Sequence, residues 1–190
     1  MAAIAFAIIG GLAERVASRS LALASGLAAG LIVGRSQLPW WATGVYLVCL
    51  ALLVMLVATD LEQRLLPHLA LDPLVVIAAA FIPFNPAVRP LDALIGAALA
   101  VGFLGIVALV VRGGLARGDL FLVAPIGALL GWPAIFTALF AAAFLAAGTS
   151  IVLLATHRVG MRSYIPFGPA LVAGAVVALL LDPRALAIAR

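Results

Sequence analysis

Long apolar runs alternate with short polar connections from one end of this chain to the other. A helix of about 20 apolar residues, within a range of about 17–25, crosses a bilayer. Inside lipid only helices or closed barrels satisfy the backbone polar groups. The runs lack the period-two alternation of barrel strands, so the pattern predicts helices. The clearest spans are 40–59, 93–111 and 163–181. Between them, 120–156 is a 37-residue run without a charge, too long for one span. Gly131-Trp132-Pro133 divides it and predicts a tight hairpin of two helices. Weaker runs at 2–17, 20–34 and 71–86 bring the expected number of transmembrane helices to eight, with at least six well marked. The expected fold is therefore an all-α polytopic membrane helix bundle, with one transmembrane domain over 1–190.

Composition strengthens that reading. Of 190 residues 67% are hydrophobic and 9% charged, with mean hydropathy +1.33. Soluble domains carry about 45–50% apolar and about 25% charged residues. A cleaved signal peptide does not account for this, because the apolar runs continue to the C-terminus. Small residues recur (GLAAGL, GAALAVG, AAAFLAAG), as close helix packing in membranes requires. All eleven basic residues are arginine, scattered singly rather than gathered into a patch, which excludes a nucleic-acid partner. Cys49, the one cysteine, excludes an internal disulfide and a CxxC-type zinc site, and reads as a small buried apolar residue.

Arginine placement orients the bundle. With eight spans, one set of loops carries Arg15, Arg19, Arg64, Arg112, Arg117, Arg158 and Arg162. The opposite loops and tail carry Arg35, Arg89, Arg184 and Arg190. Seven against four places the first set in the cytoplasm.

The seven acids are Glu14, Asp60, Glu62, Asp72, Asp92, Asp119 and Asp182. Asp60 ends the run 40–59, and Asp119 opens the run that follows "GGLARG". On this topology both face the cytoplasm at similar depth. Two carboxylates brought together do not both ionise cheaply, so the pair holds a shared proton. Such a pair activates water and protonates a leaving amine, the acid–base requirement of peptide hydrolysis. Metal binding is the rival role, but no histidine or further acid stands at ligand spacing. An aspartate at a helix start is equally a cap that favours the dipole, and spacing alone leaves the two roles of Asp119 even. Asp92 after Pro90 reads as a plain cap, Asp72 before Pro73 as a turn or helix start, and His68 and His157 as polar loop residues.

Three blocks, in order, resemble the type IV prepilin peptidases, the membrane aspartic proteases of GxGD type. In "ATDLEQRLLPH" (58–68), Asp60 ends a helix and is followed by Leu66-Pro67. In "GGLARGDLFLVAPIGALLGW" (113–132), a Gly-rich turn with Gly114 leads to Gly118-Asp119, an apolar helix and a Gly-Trp end. "YIPFGPALVAGAVVALL" (164–180) is similar to the family's IPFGP helix, and "AIIGGLAERVASR" to its first helix. The chain departs from the family at Ala116, where GxGD has Gly, and at Phe121, where Lys is common.

The resemblance implies that Asp60 and Asp119 are the catalytic pair, with Gly118, Pro67 and Gly114 as supporting motif residues. It implies endoproteolytic removal of the leader from prepilin-like or pseudopilin substrates with a basic leader and an apolar helix. Cleavage would fall at the cytoplasmic face of a bacterial or archaeal membrane, with no metal or organic cofactor. Many bacterial relatives carry a four-cysteine zinc insert after the first helix and also N-methylate the product. Here "ERVASRS" (14–20) is short and lacks cysteine, so the resemblance implies a peptidase without methyl transfer. Two other readings stand beside it. One is a non-catalytic assembly factor of a pilus or secretion system, motivated by Ala116 and Phe121. The other is a small proton-coupled transporter, which the lack of a mid-span acid weighs against.

Overall fold

A computed structural model describes residues 19–63, 68–110, 117–156 and 167–181. Among these residues every regular element is helical. They are α1 (Arg19–Arg35), α2 (Trp40–Gln63), α3 (His68–Phe81), α4 (Pro90–Val110), α5 (Arg117–Leu130), α6 (Ala134–Ala155) and α7 (Gly168–Leu181). A 3-10 turn, Ile82–Phe84, extends α3. Among the described residues three stretches are long and apolar enough to span a membrane: Trp40–Asp60, Pro90–Val110 and Ala134–Val152. The others are shorter apolar helices. The protein is a multi-pass membrane helix bundle. The expected span 2–17 lies outside the described residues.

Proline marks the starts. Pro90 opens α4, Pro133 precedes α6 and Pro169 is the second residue of α7. A proline there costs nothing, since its missing N–H would have no partner in the first turn. The expected hairpin at 131–133 is present. Gly131 takes a positive φ of 67°, which its lack of a Cβ permits, and the Trp132–Pro133 bond is cis. The Trp132 N–H donates to the Asp92 carbonyl at 3.0 Å, tying this turn to the start of α4.

Several starts differ from expectation. The helix predicted over 71–86 begins at His68, so His68 is its first residue rather than part of a loop, and Asp72 is its fifth. His68 Nδ1 lies 3.2 Å from Asp72 Oδ1, one turn along the exposed face. Asp92 and Asp119 are each the third residue of their helix, not its cap. Proline at position 90 takes the first helical place, which moves the cap back to Arg89. Asp92 and Asp119 still lie in the first turn, where the helix dipole favours a carboxylate.

Glycine sets the closest helix contacts. A Cβ built on Gly96 of α4 would lie 2.5 Å from the Gly127 carbonyl oxygen of α5, and one on Gly127 would lie 2.6 Å from the Gly96 oxygen. On α7, a Cβ on Gly174 would collide with the Ala138 carbonyl and the Ala142 nitrogen of α6. Such contacts let helices approach closely where lipid supplies no hydrophobic drive. They seat α5 and α7 against their neighbours, and these are the two helices whose first turns build the candidate site. α7 also packs on both α2 and α5, as does α3.

The bundle has two distinct ends. At one lie the starts of α2, α4 and α6 and the ends of α3 and α5. Buried Tyr46, Asn85 and the Leu129 carbonyl are hydrogen-bonded to one another there. Trp40, Trp41 and Trp132 are all exposed at this end, the placement of an interfacial aromatic belt. At the other end lie the end of α2 and the starts of α3, α5 and α7.

Candidate active site

Asp60 sits three residues before the end of α2 and Asp119 in the first turn of α5, both at the end away from the tryptophans. Trp40 and Asp60 bracket a 21-residue span, about 30 Å at the α-helical rise, the thickness of the hydrocarbon core. Asp60 is thus at the opposite interface rather than at mid-depth.

Both carboxylates are buried. Asp60 is 6% exposed and Asp119 1%, in a chain whose other buried polar residue among those described is Asn85. Burying a carboxylate is costly unless it is partnered or neutral, so two at one end of a bundle make that end the candidate site. On α5 the flanking residues show how the helix is turned. Asp119, Leu122 and Val123 are buried and Phe121 is 58% exposed. Asp119 and Leu122 stand three apart and share the inner face.

Gly168, first residue of α7, joins the two acids' surroundings. A Cβ built on it would lie 2.7 Å from Asp60 Oδ2 and 3.7 Å from Leu122 Cδ2. The Asp60 carboxylate therefore rests on the bare backbone of α7, and Leu122, one turn after Asp119, stands in van der Waals range of the same point. Asp60 Oδ2 is fully buried and has no hydrogen-bond partner among the described residues.

Below this end the walls are apolar. A cavity between α1, α2, α5 and α7 is lined by Leu53, Ile126 and Ala175, with Tyr46 and Cys49 deeper. Leu53, Ile126 and Ala175 each stand seven residues from Asp60, Asp119 and Gly168 respectively, about two turns along the same helix faces. Cys49 is 1% exposed, the buried apolar role its sequence context predicts.

Of the residues the sequence singles out, Asp60, Asp119 and Gly118 lie at this end. Gly118 is half-buried beside Asp119 in the first turn of α5. Pro67, Gly114 and Ala116 lie outside the described residues, as do Arg64, His157 and Asp182. Gly168 carries no sequence-based role beyond membership of the IPFGP block. Nothing in local periodicity signals that its backbone meets a carboxylate from another helix.

Residues 47–151 match the type IV leader peptidase family. That stretch takes in both aspartates and ends before Gly168. The prepilin leader peptidase/N-methyltransferase of Bacillus subtilis (strain 168) is 34% identical over 140 residues, covering 70% of this chain and 54% of the relative. The protein of the same name from Aeromonas salmonicida (strain A449) is 32% identical over 159 residues, covering 79% and 53%. That of Aeromonas hydrophila is 32% identical over 157 residues, covering 78% and 53%. The chain spans about half the length of the curated relatives it matches. No solved structure gives a significant match.

Proposed function

The chain belongs to the type IV leader peptidase family, and from that premise we propose that it is a membrane aspartic endopeptidase with Asp60 and Asp119 as its catalytic pair. The substrate is a prepilin-like or pseudopilin protein with a short basic leader followed by an apolar helix. The observation that carries this reading is the burial of two carboxylates at one end of the bundle, linked through Leu122 and Gly168.

The chemistry follows from the pair. Two neighbouring acids in a poorly solvated site share one proton, because both do not ionise together. The ionised carboxylate takes a proton from water, and the water oxygen forms a bond to the scissile carbonyl carbon. The protonated partner polarises the carbonyl oxygen. As the C–N bond breaks, the leaving amine takes a proton from the pair, and the shared-proton state returns. No residue on this chain becomes covalently attached to substrate.

Depth and charge support cleavage at the cytoplasmic face. Asp60 is about one hydrocarbon thickness from the tryptophan belt, and the arginine-rich loops adjoin the aspartate end. A substrate helix lying in the bilayer presents its leader junction at that depth. The cysteine-free stretch "ERVASRS" (14–20) supports proteolysis without methyl transfer.

Co-expression with a candidate prepilin tests the reading, with leader loss followed by mass. The wild type removes the leader. Asp60→Asn and Asp119→Asn each insert normally and each lose cleavage by about 10²–10⁴-fold. Normal processing by either variant sinks the assignment.

A further inference from the structure

We infer that Gly168 is a positioning residue for Asp60: the bare backbone at the start of α7 sets where the Asp60 carboxylate stands. The inference rests on the reading of Asp60 as catalytic, and takes it to a residue beyond the family match.

Three observations carry it. A Cβ on Gly168 would lie 2.7 Å from Oδ2, closer than a methyl carbon and an oxygen approach, and 3.5 Å from Cγ. The atom it meets is the buried oxygen with no hydrogen-bond partner among the described residues. The atom met is the end of a side chain, which gives way more readily than the α7 backbone, and that backbone is already held against α6 at Gly174, under two turns further on. Gly168 is itself buried, and the same Cβ position stands 3.7 Å from Leu122 Cδ2.

Any side chain at 168 therefore displaces the carboxylate rather than the helix. A displacement near 1 Å of a catalytic group is enough to cost about 10²-fold in rate. Gly168 touches neither water nor substrate in this account; it acts through Asp60.

The test combines kinetics with a stability cycle in purified, lipid-reconstituted protein. G168A is expected to lower kcat by about 10–100-fold at nearly unchanged KM, and to displace the pH profile of cleavage. A merely structural glycine moves neither quantity per folded molecule. G174A, which loads the α6–α7 contact instead, is expected to lower the melting temperature but keep the wild-type pH profile. In the D60A background the clash partner is gone, so G168A is expected to lower the melting temperature there far less than in wild type.

Should G168A alone fail to accumulate, the double variant decides. Accumulation of D60A/G168A at the level of D60A upholds the inference, and its failure overturns it. Wild-type kcat, KM and pH profile in G168A overturn the inference alone. A wild type that cleaves no prepilin, or a fully active D60N, overturns the endopeptidase reading and this inference with it.

Discussion

The Tyr46 hydroxyl donates to the Leu129 carbonyl at 3.0 Å and accepts from Asn85 Nδ2 at 3.0 Å, so one buried phenol ties α2 to the end of α5 and to the loop after α3. Asn85 Oδ1 in turn accepts from the Ala87 N–H at 3.0 Å. The edge-to-face contact of Tyr46 with Phe81, at 5.6 Å between centroids, adds α3 itself. This knot stands toward the tryptophan end, about 21 Å along α2 from Asp60. Tyr46→Phe keeps the ring and removes the hydroxyl. It leaves the Leu129 carbonyl and the Asn85 amide short of a partner, each loss costing about 1–3 kcal/mol. Denaturant unfolding is expected to show a loss of that order, with cleavage per folded molecule unchanged. Because the two groups share one network, Y46F and N85A are expected to be less than additive when combined.

Gly96 and Gly127 meet backbone to backbone, and no flexible side-chain end lies between them to give way. A methyl at either position pushes α5 off α4. Overpacking of this kind typically costs about 1–3 kcal/mol. Since α5 carries Asp119 at its other end, the tilt also reaches the site. G96A and G127A are each expected to lower thermal stability and to reduce kcat several-fold. G102A, where nothing stands within 4 Å, is the matched control on α4 and is expected to do neither.

The chain's hydropathy made the helices legible, because lipid forces every polar backbone group to be satisfied within its own segment. The hairpin at Gly131-Trp132-Pro133 was equally legible, since glycine and proline interrupt an otherwise continuous apolar run. Helix starts were less so. A span is recognised by its apolar stretch, whereas α3 begins at polar His68 and runs through Asp72 and Pro73. Asp60 and Asp119 were visible as lone acids at span ends. Their burial was not, because it depends on which way each helix is turned about its axis. Gly168 was hidden for the same reason: close approach between α2 and α7 joins residues more than a hundred positions apart, and no local pattern encodes it.

Phe121 is where this chain has an aromatic residue in place of the lysine common in the resembling family. It is 58% exposed, while Asp119, Leu122 and Val123 around it are buried. Its side chain thus leaves the opposite face of α5 from the one that carries Asp119. A charge there is separated from the buried carboxylates by the helix itself. F121K is expected to change kcat less than about threefold and to leave the pH profile in place, consistent with the small effects of surface substitutions. A large gain in rate from F121K would instead show that the exposed face of α5 communicates with the pair.

The direction in which the site faces rests on the arginine count, and the structure offers a clean way to check it. His68 and Phe84 stand at opposite ends of the α3 segment, with His68 on the aspartate side. The His68 side chain is 79% exposed and Phe84 is 69% exposed. The natural thiol, Cys49, is 1% exposed and serves as an internal blank. In intact cells a membrane-impermeant maleimide is expected to label F84C and to spare H68C. In inverted vesicles the pattern is expected to reverse. The arginine asymmetry from which this orientation is read is a property of short loops and span ends. Labelling of H68C from outside would turn the bundle over. It would place both aspartates on the far side of the membrane from a newly made prepilin's basic leader, and cleavage at the cytoplasmic face would then be untenable.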